Sequence, residues 1–382
     1  MQNNSILCVA NWDSDVGYAW WLMESFWVKI ASHFQEYDVI VSYPSISEIP
    51  QSIKESKLKI QEVDFTFNRT VSIFTQLKFL KTNRVKTIYY SDRANINWRY
   101  FLYRLVGVRK IIVHDHTPGL RTKPTLLKKL IKWIINRLPF ITSDASIGAT
   151  EFVKKRLIEV NGIPKIKCFA APNGIPFKEV STTQHEHDKR LLTRFGIAEN
   201  RKVIVSVGRA NLYKGIDFAL QILKVLLDDY KQHNVHLLYL GDGPDLKAIQ
   251  QLAVKLGIEE HVSFPGRVND VDEILGQCQI AFHPSKGEVG YSLSILEYMQ
   301  AALPVVVSDN PSVCEATSNN ETGLIYKEGD VQEAAKAINY LIVNNKKAIG
   351  MGNKAKRKVI EDYSLENCHS RLIQTLQQVI VK

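Results

Sequence analysis

Arg209 and Lys214 lie five residues apart in Gly208-Arg209-Ala210-Asn211-Leu212-Tyr213-Lys214-Gly215, directly after the apolar run Val203–Val207. A glycine frees the backbone there, Arg offers a planar fork to oxygen atoms, Lys adds a point charge, and the helix expected next presents its positive end. That combination suits a diphosphate; a solvated basic turn is the plainer alternative. A second stretch, Pro284-Ser285-Lys286-Gly287-Glu288-Val289-Gly290-Tyr291-Ser292-Leu293, follows the run Ile280–His283. Its glycines precede a helix opening near Ser292, so the N–H groups around Gly290, Tyr291, Ser292 and Leu293 are candidates to hold a phosphate. Glu297, about a turn further on, is suited to accept two hydrogen bonds from the vicinal hydroxyls of a ribose.

Other spacings say less. Gly241-Asp242-Gly243-Pro244 is explained by a tight strand-to-helix turn without any ligand. The loop around Gly266 and Arg267 is expected to lay backbone groups against a nucleobase. In the first half, Asp13-Ser14-Asp15 has the look of a carboxylate pair for a divalent ion. With Arg209 and Lys214 already supplying positive charge, no metal is expected. That loop is read instead as reaching the acceptor, through Asp15, or the donor phosphates, through Gly17. His114-Asp115-His116 also suggests a metal, but no third ligand is recognisable nearby in the sequence.

The elements that must position these residues follow one pattern. Short β-branched runs alternate with amphipathic stretches throughout the 382 residues, as in α/β domains built on parallel sheets. Strands are expected at Ser5–Ala10, Asp38–Tyr43, Lys59–Phe65, Thr87–Ser91, Lys110–Val113, Ser143–Gly148 and Lys167–Ala171, with helices that include Val16–Ser32 and Pro124–Arg137. After a polar interval the pattern restarts, with strands at Val203–Val207, His236–Leu240, Val262–Phe264, Ile280–His283, Val305–Ser308 and Leu324–Tyr326. The division is therefore a Rossmann-like domain over 1–177, a linker over 178–190 and a second Rossmann-like domain over 191–364. A last helix spans 365–382. In such sheets ligands bind beyond the carboxyl ends of the strands, where the candidate residues lie.

The series Val207-Gly208-Arg209, Lys214-Gly215, Gly241-Asp242-Gly243-Pro244, Pro265-Gly266, Pro284-Ser285, Leu296-Glu297-Tyr298-Met299 and Leu303-Pro304-Val305-Val306 resembles the retaining nucleotide-sugar glycosyltransferases of family 4. The resemblance implies the GT-B fold, α/β with two doubly wound Rossmann-like domains facing across a cleft, and a last helix crossing back to the first domain. It also implies a hexosyltransferase-type enzyme that acts with retention. By the same resemblance 1–177 is the acceptor-side domain and 191–364 the nucleotide-sugar-binding domain, Arg209 and Lys214 contact the donor diphosphate, and Glu297 holds the ribose. The family's first motif glutamate falls at Val289; Glu288, one residue early, is the candidate near the transferred sugar. His114, first after its strand, is the expected catalytic histidine facing that sugar, with His116 second. Ala302 stands where the family usually has glycine.

The net charge of +10 is concentrated: between Lys86 and Arg137 there are twelve Lys or Arg against Asp92 and Asp115. An anionic partner is implied rather than mere solubility. Lys123–Arg137 pairs basic residues with Leu, Ile and Trp, which suggests an anionic membrane surface and a lipid-linked saccharide acceptor; a helix packed on its own domain is the plainer reading. No nucleic-acid motif is present, so a non-catalytic basic binder ranks behind the enzyme, as does a nucleotide-sugar epimerase of the same architecture. Five scattered cysteines and an apolar run too short for a signal peptide point to the cytoplasm, with a peripheral membrane contact. The expected partners are a nucleotide-sugar donor and a saccharide acceptor, with no cofactor.

Overall fold

The computed structural model describes residues 3–15, 20–67, 72–177 and 193–380. Gly17 and the expected linker 178–190 lie outside them. The chain divides into two compact units. One gathers the residues up to Thr117, Arg121–Pro172 and the chain from Glu366; the other holds Pro118–Leu120 and Asn173–Leu365.

The first unit is built on a sheet of β1 (Ser5–Val9), β2 (Asp38–Tyr43), β3 (Lys59–Glu62), β4 (Val85–Ser91), β5 (Lys110–Asp115), β6 (Ala145–Gly148) and β7 (Cys168–Ala170), in the spatial order β3-β2-β1-β4-β5-β6-β7. Every pairing is parallel. The central strands carry apolar runs, Ile6–Val9 in β1, Ile88–Tyr90 in β4 and Ile111–Val113 in β5, as a sheet covered on both faces requires. The helix Leu365–Ile380 packs in this unit, with Leu372 and Cys368 buried and His369 Nε2 3.0 Å from Ser25 Oγ of the helix Trp21–His33.

The second unit repeats the plan with β8 (Lys202–Val207), β9 (Val235–Leu240), β10 (Val262–Gly266), β11 (Ile280–His283), β12 (Val305–Ser308) and β13 (Gly323–Tyr326), ordered β10-β9-β8-β11-β12-β13 and again all parallel. Alternate residues of β8 serve two cores. Ile204 joins Leu220, Leu223 and Ile338 on one face, whereas Val203 and Val205 join Ile295, Met299 and Val359 on the other. In both sheets the order reverses beside the first strand, at β1/β4 and at β8/β11, so each unit has its own switch point for a ligand.

The helix Asn345–Asp362 was not expected from the sequence. Its buried stripe is Ala348, Met351, Gly352, Ala355 and Val359, mostly small residues that give little hydrophobic signal. The small size is required, because a Cβ on Gly352 would stand 1.8 Å from the carbonyl oxygen of Ala302. Ala302 itself has φ +58°, a left-handed conformation that glycine adopts without strain and alanine does not.

Candidate active site

β8 ends at Val207 and the chain turns through Gly208–Asn211 into a short 3-10 turn, Leu212–Lys214. Asn211 caps that turn, its Oδ1 accepting from Lys214 N at 3.0 Å. Gly215 follows with φ +72° and opens the helix Ile216–Asp228. A Cβ at Gly215 would lie 2.1 Å from Pro284 O, so glycine there lets the β8 loop close on the β11 loop. The approach of these two loops brings the two candidate stretches together.

Glu288 lies at their junction, inside the second unit. Its Oε1 accepts from Lys214 Nζ at 2.5 Å and is 3.0 Å from His283 Nε2. Burial raises the carboxyl's pKa, but the hydrogen bond from His283 and the positive charge of Lys214 outweigh it, leaving the value at about 2. Glu288 is therefore an ionised, nearly buried carboxylate. Its N–H donates to Ser312 Oγ at 3.4 Å and its carbonyl accepts from Gly119 N at 2.8 Å. Asn310 braces Ser312, accepting from both its N–H and its Oγ. His283, Ser312 and Asn310 carry no motif signal; only the place of His283, last in a strand before Pro284-Ser285, hints at a site.

The helix Leu293–Gln300 begins where expected. Ser292 caps it, Oγ accepting from Ile295 N at 3.3 Å. The preceding Gly290 has φ +114° and donates its N–H to Ser312 O at 2.8 Å, so that group is committed to the loop. Tyr298 ties the helix to the end of β8: Val207 N donates to Tyr298 Oη at 2.5 Å. Glu297, on the same helix, is half-buried. Arg209 is exposed and makes no side-chain hydrogen bond or ion pair among the described residues. Leu293 is partly exposed, and Gly266 and Arg267 sit at the carboxyl end of β10 at the sheet edge. The side chain of Tyr291 is buried, donating its hydroxyl to Asn173 O at 2.8 Å and packing on Tyr363, which anchors the loop whose N–H groups are the expected contact. The glycines of Gly241-Asp242-Gly243 are accounted for by packing, since a Cβ on Gly241 would meet Gly208 O at 1.8 Å.

In the first unit, β5 carries His114 and leads into His116. His114 is fully buried, its Nδ1 2.6 Å from Tyr89 Oη, its ring 4.1 Å from that of His116 and 5.4 Å from that of Phe26. Burial, with the neighbouring His116, drives its pKa well below the usual value, so it is neutral. His116 is slightly exposed, its N–H donating to Asp92 and its Nδ1 3.7 Å from that carboxylate. Asp115 is engaged by Arg156 at 3.3 Å and by Thr117, which orders the loop. Asp15 is exposed. No group of three or more His, Cys, Asp or Glu among the described residues is arranged to hold a metal.

Two parallel-sheet Rossmann-like α/β units with cations beyond β8 define the class, the fold of GT-B glycosyltransferases. The structure of a glycosyltransferase from Rickettsia africae superimposes with a TM-score of 0.78 at 16% identity, covering 100% of this chain and 99% of that one. Anabaena Alr3699/HepE in complex with UDP and glucose gives 0.75 at 17% identity, covering 98% and 100%. Residues 189–358 match the family described as Glycosyl transferases group 1. An uncharacterized glycosyltransferase of Haemophilus influenzae is 32% identical over 166 residues, 43% of this chain and 46% of its own length. N-acetyl-alpha-D-glucosaminyl L-malate synthase of Bacillus anthracis is 25% identical over 205 residues, 51% of this chain and 53% of its own. The chain thus spans about half the length of these curated relatives.

Proposed function

We propose that the protein is a retaining glycosyltransferase that moves a hexose-type sugar from a nucleotide diphosphate sugar to a hydroxyl of a saccharide acceptor, in the assembly of a cell-surface polysaccharide or glycolipid. The observation that carries this reading is the grouping, at the β8/β11 switch point, of Arg209, Lys214 and the capped start of the helix Leu293–Gln300. Lys214 and Arg209 take the diphosphate and stabilise it as it leaves, by preorganised charge rather than covalent attack. Glu297 accepts hydrogen bonds from the ribose, and the loop of Gly266 and Arg267 lies against the base. Glu288, held by Lys214 and His283, fixes the ammonium in place; of the two histidines, the slightly exposed His116 is assigned to the sugar in its reacting geometry, with the buried His114 packed behind its ring. No metal is part of this proposal, because Arg209, Lys214 and the amino-terminal end of the helix Leu293–Gln300 all direct positive charge to the diphosphate.

A thermal-shift screen of UDP-, GDP- and ADP-sugars, followed by calorimetry with the stabilising nucleoside diphosphate, tests the reading. Wild type binds the ribonucleotide more tightly than its 2′-deoxy form, and Glu297→Gln narrows the difference. No shift with any nucleotide sugar overturns the proposal. NMR of the product anomer with the accepted donor then reports retention directly.

A further inference from the structure

The helix Leu126–Ile135 of the first unit turns outward the side chains that a core helix would bury. None of its residues is buried, and Leu126, Leu127, Leu130, Ile131, Trp133 and Ile134 are each between 46% and 87% exposed. The plainer expectation, a helix packed by those residues on its own domain, is overturned. Its attachment is polar instead. Lys132 Nζ donates to Val160 O at 3.0 Å, and Asn136, buried just past the helix end, donates from Nδ2 to Asn161 O at 2.8 Å. Asn95 Nδ2 completes the anchor by donating to Asn136 Oδ1.

At helical spacing Leu126, Leu127, Leu130, Ile131 and Ile134 fall within an arc of about 140°. Lys132 lies opposite that arc, with Lys128 and Lys129 to either side of it at the margins. Arg137 stacks its guanidinium 3.8 Å over the Trp133 ring. The apolar surface continues beyond the helix, through the exposed Phe140, whose ring meets that of Phe101 at 6.2 Å, and the exposed Trp98. Residues 121–140 contain six Lys or Arg and no carboxylate.

A partner for this face must be both anionic and apolar. A second copy of the chain would oppose like charges, and a nucleic acid would leave the Leu and Ile arc uncovered. We propose that the face docks on an anionic lipid bilayer, its apolar arc entering the boundary between headgroups and acyl chains while Lys128, Lys129 and Arg137 meet lipid phosphates. Among the described residues no helix is long and apolar enough to cross a membrane, so the contact is with the surface. The inference rests on the first unit and stands apart from the reading of the donor site.

Flotation of the full chain with vesicles of phosphatidylcholine, alone or mixed with phosphatidylglycerol, tests it. Binding to the anionic vesicles exceeds binding to the neutral ones at least tenfold, each cation near the surface contributing about fivefold. Leu126→Ser/Leu130→Ser/Ile134→Ser lowers binding at least tenfold with the charge unchanged, and Lys128→Glu/Lys129→Glu does so with the apolar arc unchanged. Vesicles shift the tryptophan emission to the blue, and Trp133→Phe removes most of that shift. Calorimetry with nucleoside diphosphate gives the same affinity for the serine variant as for wild type, which keeps this outcome separate from that of the donor site. Equal binding to both vesicle types overturns the inference. So does a serine variant that binds like wild type, the mark of a purely electrostatic surface. So does sedimentation of a lipid-free dimer that the serine variant dissociates, which assigns the face to a second copy.

Discussion

At the carboxyl end of β11 an ionised carboxylate, Glu288, is held between Lys214 and His283, whereas near the carboxyl end of β5 the neutral His114 stacks on Phe26, is hydrogen-bonded to Tyr89 and touches His116. The two sheets share one order over six strands, the first adding β7 at its edge. Topology therefore offers a ligand site twice, and the residue types decide whether the group at its centre is an ion or a neutral ring. The helices divide in a similar way. Ile216–Asp228 buries seven residues in the second unit, while Leu126–Ile135, as rich in Leu and Ile, buries none. An apolar stripe specifies that something covers it, not what does.

The sharpest way to break the comparison of helices is to truncate one leucine in each. Leu220→Ala, in the core of the second unit, should cost about 2–5 kcal/mol of unfolding free energy, and Leu130→Ala less than about 0.5 kcal/mol. Urea unfolding followed by circular dichroism measures both. Equal losses would mean that the first-unit helix is packed after all.

The charged site is sharpened by separating its two cations. Arg209→Ala and Lys214→Ala should each weaken nucleoside diphosphate binding about ten- to a hundredfold, the worth of a charge-assisted contact. They should part in stability. Arg209 is exposed and unpaired among the described residues, so its removal leaves folding unchanged. Loss of Lys214 leaves the nearly buried Glu288 with His283 as its remaining side-chain partner, at about 1–3 kcal/mol. Calorimetry and urea unfolding on the same two variants decide.

Acid distinguishes the strand ends by their pH windows. Both groups have folded pKa values below their unfolded ones, so both lend stability at higher pH that is lost on acidification. For His114 the loss begins as the pH falls below the unfolded value of about 6.5. For Glu288 it begins below 4.5 and continues to about 2. His114→Gln should therefore flatten the stability profile between pH 6.5 and pH 5 by up to about 1.4 kcal/mol per pH unit, and Glu288→Gln should leave that window unchanged. Unfolding titrations at stepped pH give both slopes.

The smallest effect concerns the backbone beneath the second unit. Ala302→Gly relieves a left-handed alanine and should stabilise the chain by about 0.5–1 kcal/mol, seen as a raised Tm without a change in nucleotide affinity.

The sequence by itself determined the alternation of strands and helices, the placing of Arg209, Lys214 and Ser292 just beyond strands, and the concentration of positive charge before Arg137. These are local properties, set by side-chain period, capping residues and glycine position within a few neighbours. The β1, β2, β11 and β12 expectations hold to within a residue because their apolar runs end at polar residues or turns. Tertiary structure alone decided the rest. It gave Glu288 its partners His283 and Lys214, five and 74 residues away. It buried His114 against Phe26, turned the Tyr291 side chain into the core, and packed the small-residue stripe of the helix Asn345–Asp362 against Ala302. It also left the Leu126–Ile135 stripe uncovered. Each of these depends on which distant surface comes within contact range, and a periodicity read along one dimension carries no information about that distance.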